Sequence, residues 1–318
     1  MVLKITIDIF SGRENPSVKL TENESIEVLK GLKPGDKIST EEKIFPPVPP
    51  LGYKGLIIEQ LGERDKNLPR LFRYVHGDLF GDGLAHKATE EKFEEFFCGS
   101  TGPIQKLELG KEFPDIVKNE IVRFKELRFR LAPEILKFRE KMLLPWWPCR
   151  WWWPCRWWCW RRCRCAPIYE PNWWNDGGQI QYNNNCYNYA TNYRTDTFAQ
   201  PGEATNSKWN NLSSCDPTAP AISAKMGAIS DSLVDNPNAG NICPSKGHLV
   251  ALAIWPDWDY HWYRKGRNNY WSHKPGGTQV TNLDNSGNLI NDPRVADRGG
   301  YTEFCTFMIV MHGHIKIK

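Results

Sequence analysis

The chain reads as an α+β protein, and three observations predict it. Short runs alternate apolar and polar residues near both ends of the 318-residue chain. Brief helical patterns with recognisable caps lie between them. The chemistry of the chain changes abruptly near Pro145: nine of the ten Cys and all 15 Trp lie beyond it. A chain of this length is natural for two domains. The expected organisation is a mixed α/β accessory or targeting domain over 1–144, a Trp/Cys/Arg-rich connecting segment over 145–175, and a second domain over 176–318 in which a helix packs on a small antiparallel sheet.

In the first part, VLKITIDIF alternates like a strand and stops at the turn formers SGRENP. Thr21, followed by Glu24, gives the capping-box start of a short helix ending near Gly31. KIFPPVPPLGYKG reads as a proline-rich loop, and GLIIEQLG and LFRYVHGDLF as further strands. ATEEKFEEFFCG reads as a helix with Thr89 at its N-cap. From Phe113 to Met142 the pattern is helical and highly charged, and Pro133 is expected to break it in two. GDLFGDG lacks the spacing of a phosphate or calcium loop and is read as a surface turn, with His76 and His86 as ordinary loop or strand residues. In the last part HLVALAIW, DYHWYRK, NYWSHK and FCTFMIVMH are strand candidates, and MHGHIKIK a basic tail strand rather than a metal chelate. The loop around Asp284, Asn285, Ser286, Asn288 and Asp292 lacks the closing Glu of a calcium loop and reads as an Asx-rich turn.

Charge and hydropathy exclude two classes. Residues 1–145 carry 24 bases and 24 acids, whereas 146–165 carry five arginines and no acid. The net charge of +4 is thus concentrated in one short element, which argues against a broad nucleic-acid surface. No uninterrupted apolar run approaches the roughly 18 residues of a membrane-spanning helix. The opening MVLKITIDIF carries Asp8 and alternates like a strand, so no cleavable signal peptide is read. The compartment is left open, with export by a specialised route as one way to reconcile that reading with a Cys-rich second half.

The connecting segment holds a tandem hexapeptide, WPCRWW at 147–152 and again at 153–158, followed by CWRRCRC. Its prolines oppose a regular helix. Trp151, Trp152, Trp153, Trp157, Trp158, Arg150 and Arg156 suit a membrane interface, where indole sits at headgroup depth and guanidinium meets phosphate. They equally suit a subunit contact, since aromatic and Arg residues dominate such cores. The run resembles Trp-rich antimicrobial peptides of the indolicidin type. No C-x-x-C and no nearby His marks a zinc site among Cys149, Cys155, Cys159, Cys163 and Cys165. No metal and no cofactor is read from the chain.

One constellation carries chemistry. In GGQIQYNNNCYNYATNY, Cys186 stands at the start of a short helix that Asn183, Asn184 or Asn185 can cap. A thiol there meets the positive end of the dipole and free amides, which favour thiolate and can form an oxyanion hole. A Cys nucleophile also needs an imidazole base and a third group to orient it. Downstream lie His248 in KGHLVALAIW, His261 in DYHWYR and His273 in NYWSHKPGG.

On these residues the C-terminal part resembles the papain-like cysteine hydrolase superfamily, especially NlpC-type and CHAP-type cell-wall amidases and peptidases. GHLVALAI is the closest local match. The steps of 62 residues from Cys186 to His248 and 13 to His261 fit that family's order. The resemblance implies Cys186 as nucleophile, His248 as base and His261 as the orienting group, with peptide or peptidoglycan-type amides as substrate; an alternative register makes His261 the base, with His273 or Asp284 as the third member. Asn185-Cys186-Tyr187 departs from the family's Asp-Cys-Ser. FSGRENP, LGYKG and the block from DYHWYR onward resemble uncharacterised bacterial proteins. Two other readings stand beside the hydrolase: a membrane-active toxin, and a non-catalytic structural or self-assembling protein using 146–165 as its contact. In the last, Cys186 is a structural cysteine, with Cys215 or Cys243 as a bridging partner.

Overall fold

The computed structural model describes residues 1–37, 51–81, 84–88, 92–142, 163, 165–215 and 222–318. Trp151, Trp152, Trp153, Trp157, Trp158, Arg150 and Arg156, and the Thr89 cap, lie outside the described residues. The chain is α+β, with helices and antiparallel sheets in two compact units.

The first unit comprises Met1–Ile9 and Asn15–Arg130. Among the described residues its strands are β1 Val2–Asp8, β2 Ser17–Lys19, β3 Pro34–Lys37, β4 Gly55–Leu61, β5 Leu71–Val75, β6 Asp78–Gly81 and β7 Leu84–Ala88. They lie in the order β2-β1-β4-β5-β6-β7-β3. The period-two alternation of β1 sends Leu3, Ile5 and Ile7 inward, all fully buried. β1 pairs antiparallel with β4 along its whole length, Ile5 facing Ile58. Helix α1 (Glu22–Gly31) begins with the expected capping box: the Glu24 amide donates to Thr21 Oγ1, and the Thr21 amide donates to Glu24 Oε2 at 2.8 Å. Lys106 and those cap bonds hold the Glu24 carboxyl down at about 2. At the end of β1, Asp8 is buried between Arg73 Nη1 at 2.8 Å and Lys54 Nζ at 3.3 Å. Burial alone would raise its pKa, but the two cations outweigh that and lower it.

The helix expected in ATEEKFEEFFCG forms as α2, Phe93–Phe97, with Lys92 at the N-cap position and no side-chain cap. One local expectation fails here. Helix α3 runs unbroken over Phe113–Met142, through Pro133. A proline removes one backbone donor and strains one turn; here the remaining turns carry the helix across it.

The second unit comprises Phe10–Glu14 and Leu131–Lys318. Beyond the end of α3 it holds α4 (Gln179–Asn183), α5 (Cys186–Thr191), α6 (Ala224–Ser230), β8 (Val234–Asp235), β9 (His248–Trp255), β10 (Asp259–Lys265), β11 (Trp271–His273) and β12 (Glu303–Val310). The five strands form an antiparallel sheet in the order β11-β10-β9-β12-β8. All eight residues of β9 and all seven of β10 are buried, which requires cover on both faces. Helix α5 packs on β10, with the Tyr187 and Trp262 ring centroids 5.4 Å apart. Residues 311–318 are turn and coil rather than a strand. Among the described residues, two disulfides, Cys163–Cys243 and Cys215–Cys305, close loops of 80 and 90 residues. In the chain-entropy account each contributes about 4.5 kcal/mol by restricting the unfolded chain. Cys186 belongs to neither bridge.

Candidate functional site

The groups that the sequence marks as reactive lie in the interior of the second unit, around α5 and the β10–β11 edge. Asn185 caps α5: its Oδ1 accepts the Tyr187 amide at 3.0 Å and the Asn188 amide at 3.1 Å. Its Nδ2 donates to Gly12 O and Ala199 O, both at 2.8 Å. Asn184 Nδ2 donates to Ile180 O at 2.8 Å and Asp196 Oδ1 at 2.6 Å. The Cys186 amide donates to Ser11 O at 3.5 Å. The amides and carboxamides expected to form an oxyanion hole are therefore committed to the fold itself.

Cys186 is fully buried, its Sγ 4.0 Å from Tyr260 O. Burial pushes its pKa well above the usual thiol value, and the Asp259 charge adds to that. The backbone amide of Trp262 pulls the other way and is outweighed. A six-residue helix supplies too small a dipole to reverse a desolvation of this size, so the thiol is protonated.

The three histidines separate into two places. His248, at the start of β9, donates through Nε2 to Ala190 O at 2.7 Å, the C-terminal end of α5. Its Nδ1 lies 3.2 Å from His312 Nε2. Because a carbonyl can only accept, His248 carries its proton on Nε2 and receives one from His312 on Nδ1. Burial lowers its pKa to about 3. The same helix end is held by Arg264, whose Nη1 donates to Tyr189 O at 3.1 Å and to Asn192 Oδ1 at 2.7 Å.

His261 and His273 do come together, on paired strands, with Nε2 of the first 2.8 Å from Nδ1 of the second. His273 Nε2 donates to Leu283 O at 3.0 Å, which fixes His273 Nδ1 as acceptor and His261 Nε2–H as donor. Burial lowers the His273 pKa to about 4. His261 Nδ1 faces Ser11 Oγ at 3.0 Å. Ser11 Oγ in turn lies 2.7 Å from the Tyr301 hydroxyl, which donates to Asp259 Oδ2 at 2.5 Å. The chain Asp259–Tyr301–Ser11–His261–His273–Leu283 is continuous and buried.

Asp259 also accepts the amides of Ser11 at 2.6 Å, Gly12 at 3.2 Å and Arg13 at 3.0 Å, an anion-holding nest of three successive residues. Gly12 is required there, because a Cβ would collide with the Tyr260 ring and carbonyl. Lys274 donates to Gln181 O, Asn184 O and Gly276 O between 2.5 and 2.7 Å, closing the end of α4. Sequence reasoning misses Asp259, Tyr301, Ser11, Arg264 and Lys274. Only the turn formers SGR and the distinctive DYHWYR block point near them, and their pairing spans up to 290 residues. Among the described residues the arrangement satisfies helix ends and fixes strands, with the Cys186 thiol buried and the Asn184 and Asn185 carboxamides engaged in capping and backbone bonds.

Among the described residues, the grouping with metal-ligand donors close together is Cys215, Glu303 and Cys305, within 4.8 Å. Its two sulfurs are joined to each other. The Asp284 loop is closed by its own amides, Ser286 and Asn288 donating to Oδ1 and Asp297 to Oδ2. Among the described residues no helix is long and apolar enough to cross a membrane.

Against curated proteins, the chain is 42% identical over 140 residues to Insoluble matrix shell protein 1 of Ruditapes philippinarum, covering 87% of that protein and 44% of this chain. The chain belongs to the Insoluble matrix shell protein 1 family. No family model and no solved structure matches it. Membership of the Insoluble matrix shell protein 1 family corrects three expectations: the papain-like resemblance, the resemblance to bacterial proteins, and the hydrolase and toxin readings built on them. The buried, protonated Cys186 gives the physical reason why a short Cys-helix-His-strand order misled. With the hydrolase goes its peptide or peptidoglycan-type substrate. The Insoluble matrix shell protein 1 relationship favours the non-catalytic structural alternative.

Proposed function

We propose that this chain is a non-catalytic structural component of an insoluble extracellular matrix, self-associating through the Trp/Cys/Arg-rich segment at 146–165. The observation that carries the reading is the 42% identity to a protein named for an insoluble shell matrix. Two intramolecular disulfides support it, since such bonds persist in oxidising, extracellular settings. So does the interior: its titratable side chains hold helix ends and strand pairs together. The segment 146–165 supplies the contact chemistry by composition, with indoles for burial and arginines for stacking and hydrogen bonding.

The test compares the full chain with a variant in which Trp151, Trp152, Trp153, Trp157 and Trp158 are all serine. Sedimentation velocity in oxidising buffer reads the state of assembly. The expected result is assembly of the natural chain and a monomeric variant with unchanged circular dichroism. Equal sedimentation of the two overturns the contact, and a monomeric natural chain that remains soluble at high concentration overturns the matrix reading.

A further inference from the structure

Lys265 closes β10 with its side chain buried, at 1% exposure. Among the described residues it makes no ion pair. It donates to a side-chain amide, Asn241 Oδ1, at 2.7 Å, and its Nζ lies 5.2 Å from the centre of the Trp271 ring. An ammonium has three donors, and one buried without a carboxylate or a full set of acceptors is poorly stabilised; a ring face replaces only part of its hydration. Burial therefore disfavours the charged form and brings the neutral amine, with its free lone pair, within reach at mildly alkaline pH. Burial lowers the Lys265 pKa to about 8, against the opposing pull of Asp292.

The amide that it faces is polarised. Asn241 Oδ1 also accepts Trp271 Nε1–H at 2.8 Å, and Asn241 Nδ2 donates to Asn291 O at 3.0 Å. The backbone of Asn241 is fixed in the left-handed region at φ 58°, two residues from the bridged Cys243. A 2.7 Å contact to Oδ1 and a C=O length of about 1.23 Å place Nζ at most about 3.9 Å from Asn241 Cγ. That is close to the separation of a reactive pair, about 3–3.5 Å.

We propose that Lys265 and Asn241 form an intramolecular isopeptide bond. The Lys265 Nζ lone pair attacks Asn241 Cγ, and the Trp271 indole N–H holds the oxyanion that develops on Oδ1. The Nζ–Cγ bond forms, the Cγ–Nδ2 bond breaks, and a proton moves from Nζ to Nδ2, which leaves as ammonia. No oxidant, metal or cofactor enters the balance. The product ties the loop before β9 to the end of β10 with a bond that reductants do not cleave, beside the Cys163–Cys243 bridge. This inference does not depend on the matrix role, and its test reads mass rather than assembly.

The test is the intact mass of the reduced full chain and a tryptic map. The expected mass is lower than the sequence mass by one ammonia, and trypsin yields one branched peptide joining the Lys265 and Asn241 segments. The bonded fraction rises faster at pH 9 than at pH 7, because the amine must be deprotonated. Lys265→Met and Asn241→Ala each restore the full mass. Trp271→Phe keeps an aromatic ring and slows bond formation about a hundredfold. A natural chain at its full sequence mass, with ordinary tryptic cleavage after Lys265 following incubation at pH 9, overturns the proposal whether or not the variants fold.

Discussion

His248 Nε2 donates to Ala190 O at 2.7 Å, so a histidine that its sequence context marks as a base instead closes the end of the helix that begins with Cys186. Replacing it leaves a helix carbonyl and the His312 ring without their partner. His248→Ala should destabilise the second unit by about 2–3 kcal/mol, the cost of unsatisfied buried groups together with a small cavity. Urea unfolding followed by tryptophan fluorescence measures this, and a change below about 0.5 kcal/mol, the range of ordinary surface substitutions, contradicts it.

Acid should weaken the fold in a defined window. The unfolded chain takes up protons on His248 and His273 near pH 6.5, but the folded protein does so only near 3 and 4. The unfolded state therefore binds more protons below pH 6.5, and stability falls as pH drops through that range. Well inside the window each histidine contributes a slope of about 1.4 kcal/mol per pH unit. Unfolding free energies at pH 7, 6, 5 and 4 report it, and His273→Gln should remove about half of the combined slope.

Thiol reactivity should separate sharply by burial. Cys165 is exposed, whereas Cys98 and Cys186 are buried, with burial pushing Cys98 up to about 12. Iodoacetamide at neutral pH should label Cys165 in the folded protein and reach Cys98 and Cys186 only in denaturant. Fast alkylation of Cys186 in the native state would contradict this.

The three-amide nest around Asp259 should be intolerant of small changes. Gly12→Ala forces a methyl group against Tyr260, and Asp259→Asn takes the charge from three amides and the Tyr301 hydroxyl. Each should cost about 3 kcal/mol, by overpacking in the first case and by a broken buried network in the second. Calorimetric melting of both variants tests this, and an unchanged Tm for Asp259→Asn would show that the carboxylate adds nothing.

Several elements are legible in the order of residues itself. Alternation marks β1, and the apolar runs HLVALAIW and FCTFMIVMH mark β9 and β12, because burial repeats with the backbone period. The Thr21–Glu24 capping box is local chemistry and forms as expected. Asn185 caps α5 for the same reason. Pro133 misleads, because one lost hydrogen bond is a local penalty that a thirty-residue helix outweighs.

The sequence alone determined what depends on near neighbours: the α+β class, the strand periods, the caps, and the concentration of Trp, Cys and Arg beyond Pro145. Only the tertiary structure decided how Cys186, His248, His261 and His273 are used. A thiol's ionisation depends on its solvent and on charges such as Asp259, 73 residues away in the chain. An imidazole's role depends on which carbonyl or hydroxyl meets each nitrogen. Desolvation and hydrogen-bond partnership are properties of the packed interior, and no local spacing encodes them.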